Sequence, residues 1–228
     1  MKLVNQLTLG IAALLFAAAA HAQTTTTLSS RPSIADSPGV LGHTFLDLNY
    51  SWVDFTEDQV EADGFIAGVS GNMPITPSLD AGFGYSYYRE NDHRNPFTGS
   101  PFDVRAHQLA ANATLHALEG TIKPFLSGGI GYQWSRGDLQ SFRIDDDEWL
   151  WGASVGAEIP FGRFAVTPRL SYSDLFRGNS SGQWSYGAEA HHWFTDRVGG
   201  YLDATFHNPR DRSALESWTY TAGLRLRF

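Results

Sequence analysis

The 228-residue chain contains no cysteine, which excludes disulfide bonds and thiolate chemistry. It also has little continuous apolar sequence. The run from Ile11 to Ala20 spans ten residues, whereas a membrane-spanning helix needs about twenty. Positive charge is not in excess either, because the formal net charge is −8. That balance opposes binding to nucleic acid, and no nucleic-acid partner is expected.

The N-terminus has the pattern of a cleaved secretory signal. Lys2 precedes the apolar run, and Ala20-His21-Ala22 offers small residues for cleavage before Gln23. A retained anchor helix is the alternative, but the run is too short for one. We therefore predict a signal peptide over residues 1–22. Residues 23–41 are rich in Thr, Ser and Pro without periodicity, which predicts a flexible periplasmic leader.

Apolar and polar residues alternate from Trp218 to Phe228, the pattern of a β-strand with two unlike faces. The apolar face could meet either a soluble core or lipid. Nine similar segments precede it, separated alternately by tight turns and by longer polar loops that include residues 89–102 and 136–147. This rhythm predicts an all-β fold for residues 42–228: a closed antiparallel up-and-down transmembrane barrel of ten strands, with eight as the alternative. Pro168 predicts a bulge or a local break.

Aromatic residues, 14% of the chain, distinguish lipid from a soluble core. On the apolar face most of them lie at the strand ends next to the longer loops, whereas Phe161, Phe164, Phe194 and Phe228 lie at the opposite ends. Two aromatic girdles are typical of the two membrane interfaces. The predicted loop-side girdle comprises Trp52, Tyr87, Trp134, Trp149, Trp151, Tyr172, Trp184, Tyr186, Phe206, Trp218 and Tyr220.

The other face of the strands carries many charges, which a dry sandwich core would not tolerate without a large desolvation cost. A barrel of about ten strands has a narrow interior that side chains can largely fill. We therefore predict a lumen plugged by a charged network. Its members are Asp47, Asp80, Lys123, Glu158, Arg169, Glu189, Asp203, Arg225 and Arg227.

The signal, the strand rhythm, Gly-rich strands such as Leu126 to Tyr132, and the terminal Tyr220 to Phe228 together resemble the small Gram-negative outer-membrane β-barrel proteins of the OmpA/OmpX and opacity-protein type. The resemblance covers Gly42 to Phe228. It implies a location in the Gram-negative outer membrane, contact with its lipid and lipopolysaccharide, and a monomer. It also implies that Tyr220, Leu224, Leu226 and Phe228 form a signal read by the barrel-assembly machinery. Many members have eight strands, so ten is a departure.

Four motifs could carry chemistry. Gly152 to Gly156 matches G-x-S-x-G, but Ser154 is predicted in mid-strand without the strand-to-helix turn that exposes such a nucleophile. The acidic run Asp145 to Glu148 could bind a divalent cation loosely. His191 and His192 cannot chelate together, because adjacent strand residues face opposite sides. Two acid–histidine groups distantly resemble the sites of outer-membrane proteases: Asp92 with His93, and His207 with Asp203 and Asp211.

These patterns favour a non-enzymatic outer-membrane barrel with a plugged lumen, serving envelope integrity or surface contact. No catalytic residue, cofactor or metal ligand is predicted. A narrow pore for small polar solutes is the first alternative, suggested by the many lumen-facing glycines. An outer-membrane protease or lipid A hydrolase is the second.

Overall fold

A computed structural model of the chain describes residues 39–55, 63–94, 101–118, 120–139, 142–176, 182–210 and 216–228. The predicted signal peptide and residues 23–38 of the leader lie outside these ranges. Among the described residues, no helix has the length and apolarity needed to cross a membrane. The strands are β1 (Phe45–Phe55), β2 (Asp63–Thr76), β3 (Leu79–Arg94), β4 (Pro101–His116), β5 (Lys123–Leu139), β6 (Phe142–Phe161), β7 (Phe164–Leu175), β8 (Gln183–Trp193), β9 (Val198–Pro209) and β10 (Ser217–Arg227).

The ten strands form one closed antiparallel barrel in which each strand pairs with its neighbours in sequence. β10 closes the barrel against β1 in a continuous register from Phe45↔Arg227 to Phe55↔Ser217. The predicted barrel of ten strands is confirmed. Both termini of the barrel, and the tight turns between strands, lie at one end.

Burial alternates along the strands because their two faces meet different surroundings. In β10, Thr219, Thr221 and Arg225 are buried, whereas Tyr220 and Leu224 are 47% and 55% exposed. The apolar side chains therefore point away from the barrel and the polar ones point inward. This is the reverse of a soluble protein and matches a barrel surrounded by lipid.

Two of the predicted loops are wrong in extent. Much of residues 89–102 is strand, because β3 runs to Arg94 and β4 starts at Pro101. Within residues 136–147, β5 runs to Leu139 and β6 starts at Phe142. Outside the membrane, two strands can pair through their backbones without an apolar face. The polar residues there therefore did not indicate where the strands end. β5 and β6 reach 17 and 20 residues, whereas β7 to β10 have 11 or 12.

Residues Pro77 and Ser78 alone separate β2 from β3. β2 continues to Thr76, with a register shift between Pro74 and Thr76, so the proline is accommodated by a β-bulge. At Pro168 the structure confirms the predicted interruption. Pairing with β6 lapses between Gly156↔Arg169 and Ile159↔Val166 and resumes in the same register, which is a local break.

Candidate functional site

The lumen-facing side chains divide into two groups along the barrel axis. Those in the strand halves near the termini and tight turns are called the lower lumen, and those in the halves near the longer connections the upper lumen. The lower lumen contains Asp47, Asp80, His116, Lys123, Glu158, Arg169, Glu189, His191, Asp203, Arg225 and Arg227. The upper lumen contains Ser51, Gln108, Gln133, Ser171, Ser173, Gln183, Ser185, His207, Ser217, Thr219 and Thr221.

Arg225 is the centre of the lower lumen and is only 1% exposed. Its Nε and Nη2 donate to the two carboxylate oxygens of Asp47 at 2.8 and 2.9 Å, and its Nη1 donates to Glu189 Oε1 at 3.0 Å. The guanidinium also lies 4.6 Å from the ring centre of Phe45 and 4.8 Å from that of Tyr201. One fully desolvated cation thus joins β1, β8 and β10 through charge-assisted hydrogen bonds and cation–π contacts.

Gly223 makes room for this arrangement. A Cβ added at Gly223 would collide with the Tyr201 ring. The missing side chain therefore lets Tyr201 lie against β10, beside Arg225.

A second ion pair lies next to the first. Arg169 Nη2 lies 2.6 Å from Asp203 Oδ2 and donates to the Thr205 hydroxyl at 2.9 Å. Thr205 in turn donates to Asp203 Oδ1 at 2.8 Å. Arg169 is on β7 and Asp203 on β9, so the pair reaches across β8.

The end of the predicted leader lies inside the lower lumen. Val40 and Leu41 are fully buried, and their backbone N–H groups donate to Glu158 Oε2 at 2.5 and 3.2 Å. Glu158 is on β6, five strands from β1 in a ten-strand barrel, so residues 39–44 cross the mouth of the lumen from one wall to the opposite one. Gly42 has φ 94°, the left-handed conformation that lets the chain turn there. The flexibility predicted for the leader therefore does not apply to residues 39–41.

His43 belongs to the same crossing segment. The Arg227 guanidinium contacts its ring and lies 5.6 Å from the ring centre of Trp193. Burial, reinforced by the nearby Arg227 and Lys123 charges, lowers the pKa of His43 from 6.5 to about 3. The imidazole is therefore neutral here.

The structure places all nine predicted network residues on the lumen face, but it does not join them into one network. Asp80 lies 2.7 Å from His116 Nε2, apart from the Arg225 cluster. Lys123 is opposite Glu158 in the β5–β6 register. Arg227 contacts His43.

Tyr201, His43, His116 and the Val40–Leu41 backbone were not among the predicted residues of the lumen. Tyr201 and His116 occupy lumen-facing positions in the alternation of their strands, and this could have indicated both. No local signal marks His43 or the leader backbone, because His43 contacts a residue 184 positions away in the sequence and the Leu41 backbone contacts one 117 positions away.

The upper lumen is rich in hydroxyl side chains and also contains the carboxylate of Glu148, opposite Gln133. Ser51 and Thr221 share a hydrogen bond of 2.8 Å. His207 bonds Ser185 through Nδ1 at 2.9 Å and Thr219 through Nε2 at 3.1 Å. These contacts link adjacent strands. His207 is thus held by the Ser185 and Thr219 hydroxyls, and Asp203 is engaged by Arg169.

Among the described residues, the remaining sequence motifs do not form a catalytic or metal-binding arrangement. Ser154 is buried in the middle of β6, opposite Ser127 and Ser171, as expected for a strand serine. His191 is buried and His192 half-buried on the opposite face, where its ring centre lies 4.1 Å from that of Phe164. Asp211 and the side chains of Asp92, His93, Asp145 and Asp146 lie outside the described part of the chain.

Aromatic side chains form the expected girdle on the outer face. Tyr50, Phe65, Tyr87, His107 and Trp134 follow one another with ring centres 5.0 to 6.2 Å apart. A second series, on β8 to β10, runs Tyr186, Phe206, Trp218 and Tyr220. At the other end, Phe161, Phe164, Phe194 and Phe228 are each more than half exposed. Tyr50, Phe65 and His107 join a girdle that was predicted without them.

A family model and several solved structures are similar to this chain. A family model described as "Outer membrane protein beta-barrel domain" matches residues 10–173. No curated protein matches the sequence. Three similar solved structures are Neisserial surface protein A (13% identity, TM-score 0.46, 81% of this chain and 97% of that one), the N-terminal barrel of OprF from Pseudomonas aeruginosa (11%, 0.41, 82% and 99%), and the transport unit of the autotransporter AIDA-I from Escherichia coli (9%, 0.49, 91% and 95%).

Proposed function

Because the chain belongs to the outer-membrane β-barrel domain family, and so to the Gram-negative outer membrane, we propose that it is a closed, non-enzymatic barrel. It serves envelope integrity or surface contact and does not transport solutes. The observation that carries this proposal is the segment 39–44, which crosses the lower lumen and hydrogen-bonds to Glu158 on the far wall. The Arg225 and Arg169 ion pairs occupy the lumen beside it.

Closure follows from the energetics of these groups. An ion or solute entering the lower lumen would have to separate Arg225 from two carboxylates in a desolvated site, which costs several kcal/mol. It would also have to displace Val40 and Leu41, both fully buried. In the upper lumen, hydrogen bonds between adjacent strands stand in place of these ion pairs.

Conductance in planar bilayers tests the closure. Refolded full-length protein should give no steady channels. A variant in which residues 39–44 are replaced by Gly and Ser should give transient openings, because the lower lumen loses its crossing segment. The matched control carries the same replacement in residues 24–29. Steady channels from the wild type, or a loosened variant as silent as the wild type, would refute the proposed plug.

The absence of enzymatic activity is tested separately. His207 has hydroxyl partners, and Ser185 beside it is only 2% exposed, so neither group is presented to a substrate. Peptide and lipid A substrates should therefore not be turned over. Turnover that disappears in His207→Ala would establish the hydrolase instead.

Surface contact is supported by the tall wall of β3 to β6. A transmembrane strand needs about 9–11 residues, and these four have 16 to 20, so their outer ends project beyond the girdle. Binding of cells that display the protein to host or bacterial surfaces should fall when the β5–β6 hairpin is shortened. A barrel that remains folded and adheres as before would count against this role.

The C-terminus is proposed as the assembly signal, and the protein as a monomer. Phe228 is 81% exposed on the outer face and its N–H donates to Thr44 O at 3.0 Å, so the aromatic ring contributes little to packing. Phe228→Ser should lower the amount of assembled protein in the outer membrane several-fold while refolding in detergent stays near wild type. Equal losses in both assays would mean that the ring acts through packing alone.

A further inference from the structure

Three polar side chains form one row on the lumen face of adjacent strands. Ser86 on β3 is opposite Gln108 on β4, which is opposite Gln133 on β5. Residues directly opposite in an antiparallel sheet have Cβ atoms about 5 Å apart, so the three side chains are neighbours. All three are buried, and Gln108 is only 2% exposed. The row therefore brings two carboxamides and a hydroxyl to a single place in the lumen.

These side chains lack the partners that other lumen groups have. Among the described residues, nothing hydrogen-bonds to the Ser86 hydroxyl, to either polar atom of the Gln108 carboxamide or to Gln133 Oε1. The hydroxyls of Ser51 and Thr221, by contrast, bond to each other. A buried polar group without a partner lowers stability, and native proteins contain few of them. Several in one row therefore indicate a place where a polar molecule binds.

A second group of the same kind lines the upper lumen on β7 and β8. Ser173 is opposite Gln183, and both side chains are buried. Within the part of the chain that the structure describes, neither the Ser173 hydroxyl nor the Gln183 carboxamide has a hydrogen-bond partner. A barrel of about ten strands encloses a narrow interior. Both groups therefore line the same confined space.

An apolar surface adjoins the polar row. Tyr88 is the next lumen-facing residue after Ser86 on β3, and Ile66 is opposite Tyr88 on β2. A Cβ added at Gly64 would collide with the Tyr88 ring, so the ring lies against β2. Tyr88 and Ile66 are both buried. Small-molecule sites combine apolar and aromatic walls with a few polar groups, which is the composition of this part of the lumen.

The polar groups select the class of ligand. A carboxamide and a hydroxyl both donate and accept hydrogen bonds, so they match a molecule whose own groups do the same. The row carries no charge, and an ion bound there would lose its hydration without gaining a counter-charge from it. Glu148 is opposite Gln133, and its carboxylate opposes an anion further.

We propose that Ser86, Gln108 and Gln133 bind the hydroxyl groups of a neutral saccharide, and that an apolar face of the sugar ring packs on Tyr88. The narrow interior limits the bound part to a free sugar or to the end of a glycan chain. The site is independent of whether the lower lumen is closed.

Binding of neutral sugars in detergent micelles tests the proposal. Refolded full-length protein in lauryldimethylamine oxide, a detergent without a sugar headgroup, is titrated with glucose, N-acetylglucosamine and maltotriose, and saturation-transfer NMR measures binding. At least one of them should bind at about 10 mM, a concentration that suits a site with a few neutral hydrogen bonds. Tighter binding of a monosaccharide supports a site for free sugar, and tighter binding of maltotriose supports one for a chain end. Glucuronate should bind more weakly than glucose, because it adds a carboxylate.

Two variants separate a binding role from a folding role. Gln108→Met and Gln133→Met replace a carboxamide by an apolar side chain of similar length. Each should weaken saccharide binding by about three- to tenfold, as expected for the loss of one or two neutral hydrogen bonds, and the double variant should weaken it further. In urea unfolding in vesicles, the midpoint of each variant should equal or exceed that of the wild type, because a buried group without a partner is removed.

The matched control is Thr221→Val, which removes a lumen hydroxyl that is already bonded to Ser51. It should keep the saccharide affinity while its urea midpoint falls. Triglycine tests whether the amides bind a peptide instead. Binding of no saccharide, or of triglycine alone, would overturn the proposal. So would an unchanged affinity in the double variant, a lower urea midpoint for Gln108→Met, or an equal loss of affinity in Thr221→Val.

Discussion

The lower and upper halves of the lumen are held together in different ways. In the lower lumen, long charged side chains reach partners on non-adjacent strands, as Arg225 on β10 does to Glu189 on β8 and Arg169 on β7 does to Asp203 on β9. In the upper lumen, short hydroxyls bond to adjacent strands, as Ser51 does to Thr221 and Ser185 to His207. Ion pairs thus cross-brace the lower half, whereas these hydrogen bonds of the upper half join neighbouring strands.

The difference supports the proposal that the buried charges of the lower lumen keep the barrel closed. Desolvated ion pairs are weak sources of net stability, because burial removes much of what the pairing contributes. They are costly to break, however, since a single partner left behind is a buried, uncompensated charge. When such pairs hold the lumen, few other arrangements of its side chains have an energy close to that of the closed one.

The largest effect expected is that of Arg225→Met. It leaves Asp47 and Glu189 without their shared cation, so the free energy of unfolding should fall by about 3–5 kcal/mol. Urea unfolding in lipid vesicles, followed by tryptophan fluorescence, measures it. Arg225→Lys keeps the positive charge but loses the bidentate guanidinium contact. Its free energy of unfolding should therefore lie between those of the wild type and Arg225→Met. A loss below about 1 kcal/mol for the methionine variant would mean that the lower lumen is not held by this cation.

A smaller effect is expected at the Arg169–Asp203 pair. Arg169→Leu leaves one carboxylate without its cation, whereas Arg225→Met leaves two. The free energy of unfolding should therefore fall by about 2–3 kcal/mol. Arg169→Leu combined with Asp203→Leu removes both charges and should return to within about 1 kcal/mol of the wild type. The same unfolding assay completes the double-mutant cycle. Additive losses would show that the two side chains are not coupled.

Acid should release the crossing segment of the lower lumen. His43 has a pKa of about 3 when docked, against an ordinary value of 6.5, so docking is fully stable above 6.5 and weakens as the pH falls below it. Protonation would add a third cation beside Arg227 and Lys123, in a mouth whose facing carboxylate is Glu158. Between pH 7.5 and 5.5 the undocked fraction should rise about tenfold. Protease cleavage within residues 39–44 measures it.

His43→Gln is the control for this pH dependence, because it keeps a polar side chain that does not titrate. Its cleavage rate should change little between pH 7.5 and 5.5. A rise equal to that of the wild type would assign the pH dependence to another group.

The smallest effect is expected in the upper lumen. Thr219→Val removes one neutral hydrogen bond from His207 and should cost about 0.5–1.5 kcal/mol. Thr219→Ser keeps the hydroxyl and should be close to wild type. Urea unfolding in vesicles compares both with Arg225→Met. A loss as large as that of the arginine variant would abolish the distinction between the two halves.

The amino-acid sequence by itself determined the barrel. Period-two alternation selects strands, and the sorting of Trp52, Trp149 and Trp218 from Phe161 and Phe228 selects lipid as the surroundings. The same alternation also placed Asp47, Glu189 and Arg225 on the lumen face. These features are local, so they can be read without knowing which strands meet.

Only the tertiary structure decided which charges pair, where the long strands end, and where the leader goes. Arg227 turns to His43 and not to Asp47, because the crossing segment occupies that side of the lower lumen. β5 and β6 extend beyond the membrane because hairpin pairing, which polar sequence does not reveal, continues there. The contact of Val40 and Leu41 with Glu158 joins opposite walls of a closed barrel. Such a contact exists only once β10 has met β1, and no pattern within either segment specifies it.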